Sequence, residues 1–493
     1  MSLRKGQKEL VEQYRGGFCA VPAIPGGGKT HCLAVWTAEM ISNGYHKPGK
    51  ILIVTYMNSA VNNFKKRIAE ELKNRGLDSK NDYFVTTIHG LCLQIVREKP
   101  DIASISDEFN VIDDIERNDL INRSVLEWRK KNQERFEFFI ESSQLSSSKK
   151  AESLDNRWQN DFSTVILSAI GDFKCRGISP AEAIEKTHRL NSNSIIKCAA
   201  EIYALYDQKL KIAGYLDFND MLYNAKKMLA TDSLLLESYR KKFSFVCEDE
   251  AQDSNMIQSE ILNLIANRNL LRVGDSNQAI CGSFSSSDFT LFKDFCNTPQ
   301  TRVFNITQSS RSSVQIINLA NYFVDYVRNN HPVTRCRESL LMQHIEPVSP
   351  YDDRPNPVID EKGLGSAIFR SWEEEAANIA DFSRRMLQKH PDLSTAILIP
   401  TAWKMKLVAE ILESKGIPFE QLDNSSAERN KALRKLGSII GFAVKPDSSD
   451  RFALMLKECF FDSSYEIQEN LTHKKNILEF IKKCPVEQLM YPS

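Results

Sequence analysis

The chain has 493 residues, too long for one ordinary core and long enough for two or three domains. Hydrophobic residues make up 42% and charged residues 26%, which excludes a disordered chain, a collagen-like fibre and a small disulfide scaffold. Lys+Arg and Asp+Glu both number 64, so a uniformly basic nucleic-acid coat is excluded while a local basic groove is not. The 11 cysteines show no Cys-x-x-Cys spacing, which argues against a zinc ribbon or an iron–sulfur cluster. Their odd number, and an N-terminus without an apolar core, predict free thiols in a reducing cytoplasm. No apolar run approaches the roughly 20 residues that span a bilayer.

In chain order, residues 18–24 (FCAVPAI) form a short apolar run that stops at Pro25-Gly26-Gly27-Gly28-Lys29-Thr30. A helical pattern follows, with Leu33, Trp36, Met40 and Ile41 on one face. Residues 50–57 (KILIVTYM) read as a second strand, apolar enough to be covered on both faces, and a helix is expected over 59–73. Residues 91–214 read as almost wholly helical, with a Ser-rich break at 142–150. Buried strands are expected at 243–247 (FSFVC) and 270–273 (LLRV). After a Pro- and Asp-rich break at 343–363, helix 373–389, strand 396–400 (AILIP) and helix 403–415 resume the alternation. Strands alternating with helices predict a doubly wound α/β fold.

Ala23-Ile24-Pro25-Gly26-Gly27-Gly28-Lys29-Thr30 has the strand–loop–helix context of a P-loop. Glycines let backbone N–H groups face phosphate oxygens, and the helix N-terminus adds partial positive charge. Lys29 can reach the β/γ-phosphates and the Thr30 hydroxyl can ligate Mg²⁺. Ala23 stands where the general pattern has Gly. A chance Gly-rich turn is the plainer alternative, but the flanking strand and helix both fit a phosphate site. In Glu248-Asp249-Glu250-Ala251-Gln252-Asp253, a strand ends in Asp-Glu: Asp249 suits Mg²⁺ and Glu250 suits a base that activates water. Alone, this would read as an acidic helix start. Glu248 is costly near the end of a central strand unless it is solvated or paired.

Together these residues resemble the UvrD/Rep/PcrA group of superfamily 1 DNA helicases. Gln7 looks like that family's adenine-reading glutamine. VTYMNSAVNNFKKRI (54–68) resembles the motif that follows the family's second strand, and TTIHGLCLQIVRE (86–98) resembles its DNA-contact motif. LDFNDML (216–222), VGDSNQAI (273–280), ITQSSRSSVQIINLAN (306–321) and the 396–420 segment resemble later motifs in the family's order. The resemblance covers about 1–445. It implies a P-loop NTPase with a RecA-like parallel-sheet motor domain 1A (1–90 and 215–305) and a helical insertion 1B (91–214). A partial second RecA-like domain 2A (306–445) and the start of a helical 2B region (446–493) would follow.

It also implies ATP and Mg²⁺ as cofactors and single-stranded DNA, or a single-/double-strand junction, as partner, with 3′–5′ movement. Gln7, Ala23, Pro25, Gly26, Gly27, Gly28, Lys29 and Thr30 would bind the nucleotide, and Thr30 and Asp249 the metal. Glu250 would act as base, Gln278 as γ-phosphate sensor and Arg311 as the arginine brought by the second domain. Tyr56, Asn58, Thr87 and His89 would touch DNA. In isolation Tyr56 reads equally well as a buried strand aromatic, His89 as a core or capping histidine and Arg311 as a solvated helix-start arginine. Lys65-Lys66-Arg67 reads most simply as a solvated helix face.

Some positions depart from the family pattern. Cys281 and Ser283 replace aromatics, Phe284 replaces an arginine, and Ser310 replaces the tyrosine that stacks on adenine. Two late motifs, one carrying a second arginine finger, are not found, so a fragment, a truncated homologue or half of a split protein is expected. Two readings remain open: an ATP-driven DNA translocase acting in repair, replication or recombination, and a degenerate subunit that binds ATP and DNA, or docks a nuclease, without unwinding. A P-loop kinase is the weaker third, because it leaves Gln278 and Arg311 unexplained.

Overall fold

A computed structural model describes residues 3–78, 81–103, 109–141, 158–279, 288–359, 363–421 and 427–459, with 477, 480 and 481. The strands are β1 (Phe18–Pro22), β2 (Lys50–Thr55), β3 (Tyr83–Thr87), β4 (Asn110–Val111), β5 (Tyr215–Leu216), β6 (Phe243–Glu248), β7 (Leu270–Gly274), β8 (Thr301–Val303), β9 (Gln308–Ser309) and β10 (Glu346–Pro347). Six of them form one parallel sheet in the order β3-β2-β6-β7-β1-β8. The first four strands expected from sequence lie inside it, each within two residues of the expected bounds. Their near-continuous apolar character is the mark of a sheet covered on both faces.

One face carries the aromatic trio Tyr14, Trp36 and Phe245, fully or nearly buried with Phe64 and Ile68 of the helix Asn58–Asn74. The other carries Leu52, Val54, Ile95, Leu222 and Ile261. All five long strands end at the same edge. In an open parallel sheet that edge collects the ligand-binding turns.

Residues between β4 and β5 form the helical insertion, with its own core around Trp128, Phe136, Phe162 and Tyr206. The two short strands pair parallel and close its entrance and exit. The chain divides into two compact units, Met1–Leu364 and Gly365–Ser493. The 306–364 stretch thus packs with the first unit. The described part of the second unit consists of helices Trp372–Lys389, Ala402–Ser414, Ala427–Val444 and Ser449–Cys459. Its small core joins Ala376, Ala380, Val408 and Leu412. The strand expected at 396–400 does not form: Ile397 and Ile399 lean on that core, but no described strand of the unit offers a ladder.

Two buried charge clusters hold the first unit. Glu248 sits opposite Arg272 in the β6–β7 register and forms an ion pair with it at 2.8 Å. Arg272 also donates to Ser259 Oγ at 2.7 Å and lies over the Phe295 ring, while Ser254 donates to Glu248. The cost of a strand-end carboxylate is met by pairing. In the second cluster Lys174, from the insertion, meets Asp217 and Asp220 at 2.6 Å each, and Tyr206 donates to Asp217. Asp217 and Asp220 form the capping box of helix Phe218–Thr231, so this pair ties the insertion to the sheet.

Arg272→Ala strands a buried carboxylate and should cost about 3–5 kcal/mol. In urea unfolding its midpoint falls, and Glu248→Leu with Arg272→Met recovers most of the loss. Burial and the neighbouring Asp217 charge push Asp220 up to about 7 from 3.8. The folded state then holds a proton that the unfolded chain releases as pH rises from ~4 to ~7. Stability should therefore fall across that window, with this one group contributing at most about 1.4 kcal/mol per pH unit, and Asp220→Asn should flatten the slope by that contribution.

Candidate nucleotide and DNA site

The turn after β1 is built on glycine. Gly26 and Gly28 have φ of +73° and +80°, a region that side chains rarely adopt. A Cβ on Gly26 would stand 2.6 Å from Arg311 Cβ and 2.5 Å from Ser309 Oγ, so the turn is packed directly against 309–311. Ala23 N donates to Gly274 O and Ile24 N to Ile306 O, which pins the turn between β7 and the 306 segment. Helix Lys29–Ser42 starts at Gly28 with no side-chain cap. Its first N–H groups and Gly-rich approach form an anion-accepting end. Lys29 and Thr30 are the first two residues of that helix.

Gln7 is 3% exposed: Nε2 donates to Gly27 O at 2.7 Å and Oε1 accepts from Arg4 N at 3.0 Å. The amide therefore braces the turn and retains one further donor and one further acceptor. Arg4 donates to Ser310 Oγ at 2.7 Å and pairs with Asp352 at 3.2 Å. A guanidinium thus meets the position where the resemblance expects a ring.

Opposite, β6 delivers Asp249 and Glu250. Asp249 N donates to Val54 O, which continues the β2–β6 ladder to the carboxylate. Burial pushes Asp249 up to about 7, helped by the Glu250 charge and opposed by Lys29. Its Oδ1 is buried without a hydrogen-bond partner. That is the donor a divalent cation takes, and a cation there would restore the ionised form. Glu250 is held in the left-handed region at φ +54°, costing about 1 kcal/mol. Its carboxylate makes an ion pair with Lys29 and accepts from Gln252 Nε2 at 2.9 Å.

Gln252 is buried, and its Oε1 takes the Asp275 N–H at 2.8 Å, so one amide joins the Glu250 carboxylate to the end of β7. The sequence shows Gln252 inside Asp-Glu-Ala-Gln-Asp, but nothing there sets it apart from its neighbours. Asp275 caps the 3₁₀ turn Ser276–Gln278, and burial raises it to about 6. Gln278 lines a cavity of about 180 Å³ with Pro25, Asp275, Phe323 and Gln343. Asn277 exchanges two hydrogen bonds with the Leu341 backbone, at 3.0 and 2.7 Å. Nothing in the sequence marks that contact.

The structure gathers Gln7, Ala23–Thr30, Asp249, Glu250, Gln278 and Arg311 on one edge. The expected DNA residues occupy the neighbouring strand ends. Tyr56 follows β2 and is 40% exposed, unlike a strand core aromatic. Asn58 opens helix Asn58–Asn74 and is exposed. Thr87 caps helix Ile88–Glu98 by accepting from Gly90 N, a structural task. His89 stands edge-on to Phe218 at 5.6 Å, and burial lowers its pKa. Cys281, Ser283 and Phe284 lie outside the described residues.

Residues 3–300 match the family profile described as the UvrD/REP helicase N-terminal domain. The chain is 24% identical to the ATP-dependent DNA helicase Rep of Buchnera aphidicola subsp. Schizaphis graminum, over 92% of this chain and 62% of the relative. It is 26% identical to the ATP-dependent DNA helicase PcrA of Bacillus subtilis, over 90% and 54%. The PcrA of Leuconostoc citreum gives 24%, over 92% and 54%. The chain thus spans about half to three-fifths of the length of these relatives.

Asn277→Ala should remove both bonds to Leu341 at about 1–3 kcal/mol for the unpaired groups. Amide exchange at Leu341 should then rise by about tenfold or more, with exchange in β1 unchanged.

Proposed function

The chain belongs to the UvrD/REP helicase family, and from this we propose that it is an ATP-driven motor on single-stranded DNA. The observation that carries the reading is the meeting of Lys29 and Glu250 across the sheet edge, beside the unpartnered oxygen of Asp249. In this reading the Gly26–Gly28 turn and the helix start cradle phosphate oxygens, and Lys29 binds the β/γ-phosphates. Thr30 and Asp249 would hold Mg²⁺, which supplies charge neutralisation on the phosphates when bound.

Glu250 takes the proton of the attacking water, and Gln252 keeps its carboxylate aimed. ADP then leaves from the γ-phosphorus. Gln278 senses that phosphate, and Arg311, packed against Gly26, neutralises charge as it develops. Tyr56, Asn58 and His89 meet the DNA, and Gln7 the adenine. Movement is 3′–5′, and the work is repair, replication or recombination in the cytoplasm. Among the described residues no helix is long and apolar enough to cross a membrane, and nine cysteines are free thiols.

A second reading is a subunit that holds ATP and DNA, with a protein partner supplying the late motifs. It is favoured by Arg4 and Ser310 standing where a stacking ring is expected.

The test is ATP hydrolysis with and without single-stranded DNA. DNA should stimulate turnover, and Glu250→Gln should lower it by roughly 10²–10⁴-fold while nucleotide binding persists. Lys29→Ala should abolish both. Binding without turnover selects the second reading, and no binding in the unaltered chain overturns both.

A further inference from the structure

The second unit carries an exposed aromatic pair to which the sequence motifs give no role. Trp372 opens helix Trp372–Lys389 and is 47% exposed; Trp403, in the first turn of helix Ala402–Ser414, is 58% exposed. Their rings stand 6.1 Å apart and nearly perpendicular at 85°. Lys404 Nζ lies over the Trp372 ring, 2.9 Å from its centroid, and 5.4 Å from that of Trp403. Two indoles left facing solvent forgo much of the burial free energy that a core position would give them. An ammonium on an indole face is a cation–π contact that another flat ring can displace.

The surrounding charge indicates what kind of ring. Thr401 provides no side-chain cap for helix Ala402–Ser414, and that helix has no acidic residue in its first turn. Its positive end is therefore open, with Lys404 on it and Lys406 exposed one step further. The acidic residues nearby, Glu373, Glu374 and Glu375, belong to the first turn of the other helix, where they offset that helix's own dipole. Glu374 is engaged: its carboxylate accepts from Arg370 N at 3.0 Å. A ligand with a flat face and a phosphate suits this arrangement, with the base on indole and the phosphate at Lys404 and the helix end. Single-stranded DNA offers both at every nucleotide, and stacking on indole is indifferent to sequence. The sequence adds a reason: Cys281 and Ser283 leave the chain without two stacking aromatics expected of its family.

We propose that Trp372 and Trp403, with Lys404 between them, form a base-stacking platform for single-stranded DNA on the second unit. The proposal rests on the DNA-motor reading above and names a contact that the reading does not contain. An arriving base takes the indole face from the Lys404 ammonium, which turns to the phosphate.

The chain has five tryptophans. Trp36 and Trp128 are buried and Trp158 is half-buried, so quenching by an unlabelled oligo(dT) reports mainly on this pair. Binding is followed separately by anisotropy of a labelled oligo(dT). The full chain should be quenched on binding. Trp372→Ala and Trp403→Ala should each weaken anisotropy-detected binding by about five- to 150-fold, the range for one lost stack. Trp403→Phe should keep most of the affinity while losing some of the quench. Lys404→Ala should reduce the salt dependence of binding by about one ion's worth. ATP turnover without DNA should be unchanged in all four. If oligo(dT) binds the alanine variants as tightly as the unaltered chain, the platform is wrong and the motor reading stands. If the unaltered chain binds no oligo(dT), both fall.

Discussion

The contact between Lys29 and Glu250 is the hinge of the site. It joins the first residue of the helix after β1 to the second residue after β6, strands separated in the sheet by β7. The glutamate holds a backbone conformation that its side chain disfavours, and such strain persists only where the surroundings over-determine it. Here the lysine and Gln252 do so from two sides. A phosphate group competes for the same ammonium, and more strongly, because it offers several charged oxygens. In the proposed motor, phosphate binding at Lys29 would release the glutamate in the same event. Gln252 passes the change to the end of β7 through the Asp275 amide.

Charge pairing also sets the frame around this contact. The Glu248–Arg272 pair is a register lock: a one-residue slip between β6 and β7 would pull these buried charges away from each other. It fixes the height at which Asp249 and Glu250 leave the sheet. The Lys174 cluster does a similar job for the insertion. It places a single ammonium against a pair of carboxylates, so the join carries a proton-dependent charge rather than a neutral pair.

Much of the first unit was legible because its signals are local. Apolar runs of strand length, a glycine turn and an amphipathic helix appear in sequence as they do in space, and Lys29 and Glu250, singled out in the sequence, meet at the sheet edge. What escaped was non-local. Arg272 looks like a stray charge in LLRV, and only the register with β6 shows why it is there. Asn277 and Leu341 meet across 64 residues of chain. Arg4 stands at a helix start whose partner, Asp352, is far along the sequence. The 396–400 run failed for the opposite reason. Its residues have strand character, but a strand is made by its neighbours, and the unit's described residues supply none. Exposed tryptophans carry no periodic signal, so the 372/403 pair needed coordinates to be seen.

The approach of Gly26 to Arg311 constrains how this chain can change over evolutionary time. Backbone and side chain there touch so closely that a methyl group at 26 has room only if 311 gives up its own Cβ and Ser309 turns its hydroxyl away. That exchange would delete the guanidinium. The two positions are therefore not free to drift as a compensated pair: the route that relieves the crowding passes through loss of the arginine. A lineage that keeps its arginine must keep its glycine, and losing the arginine alone does not free position 26, where the contact with Ser309 and the φ of +73° remain.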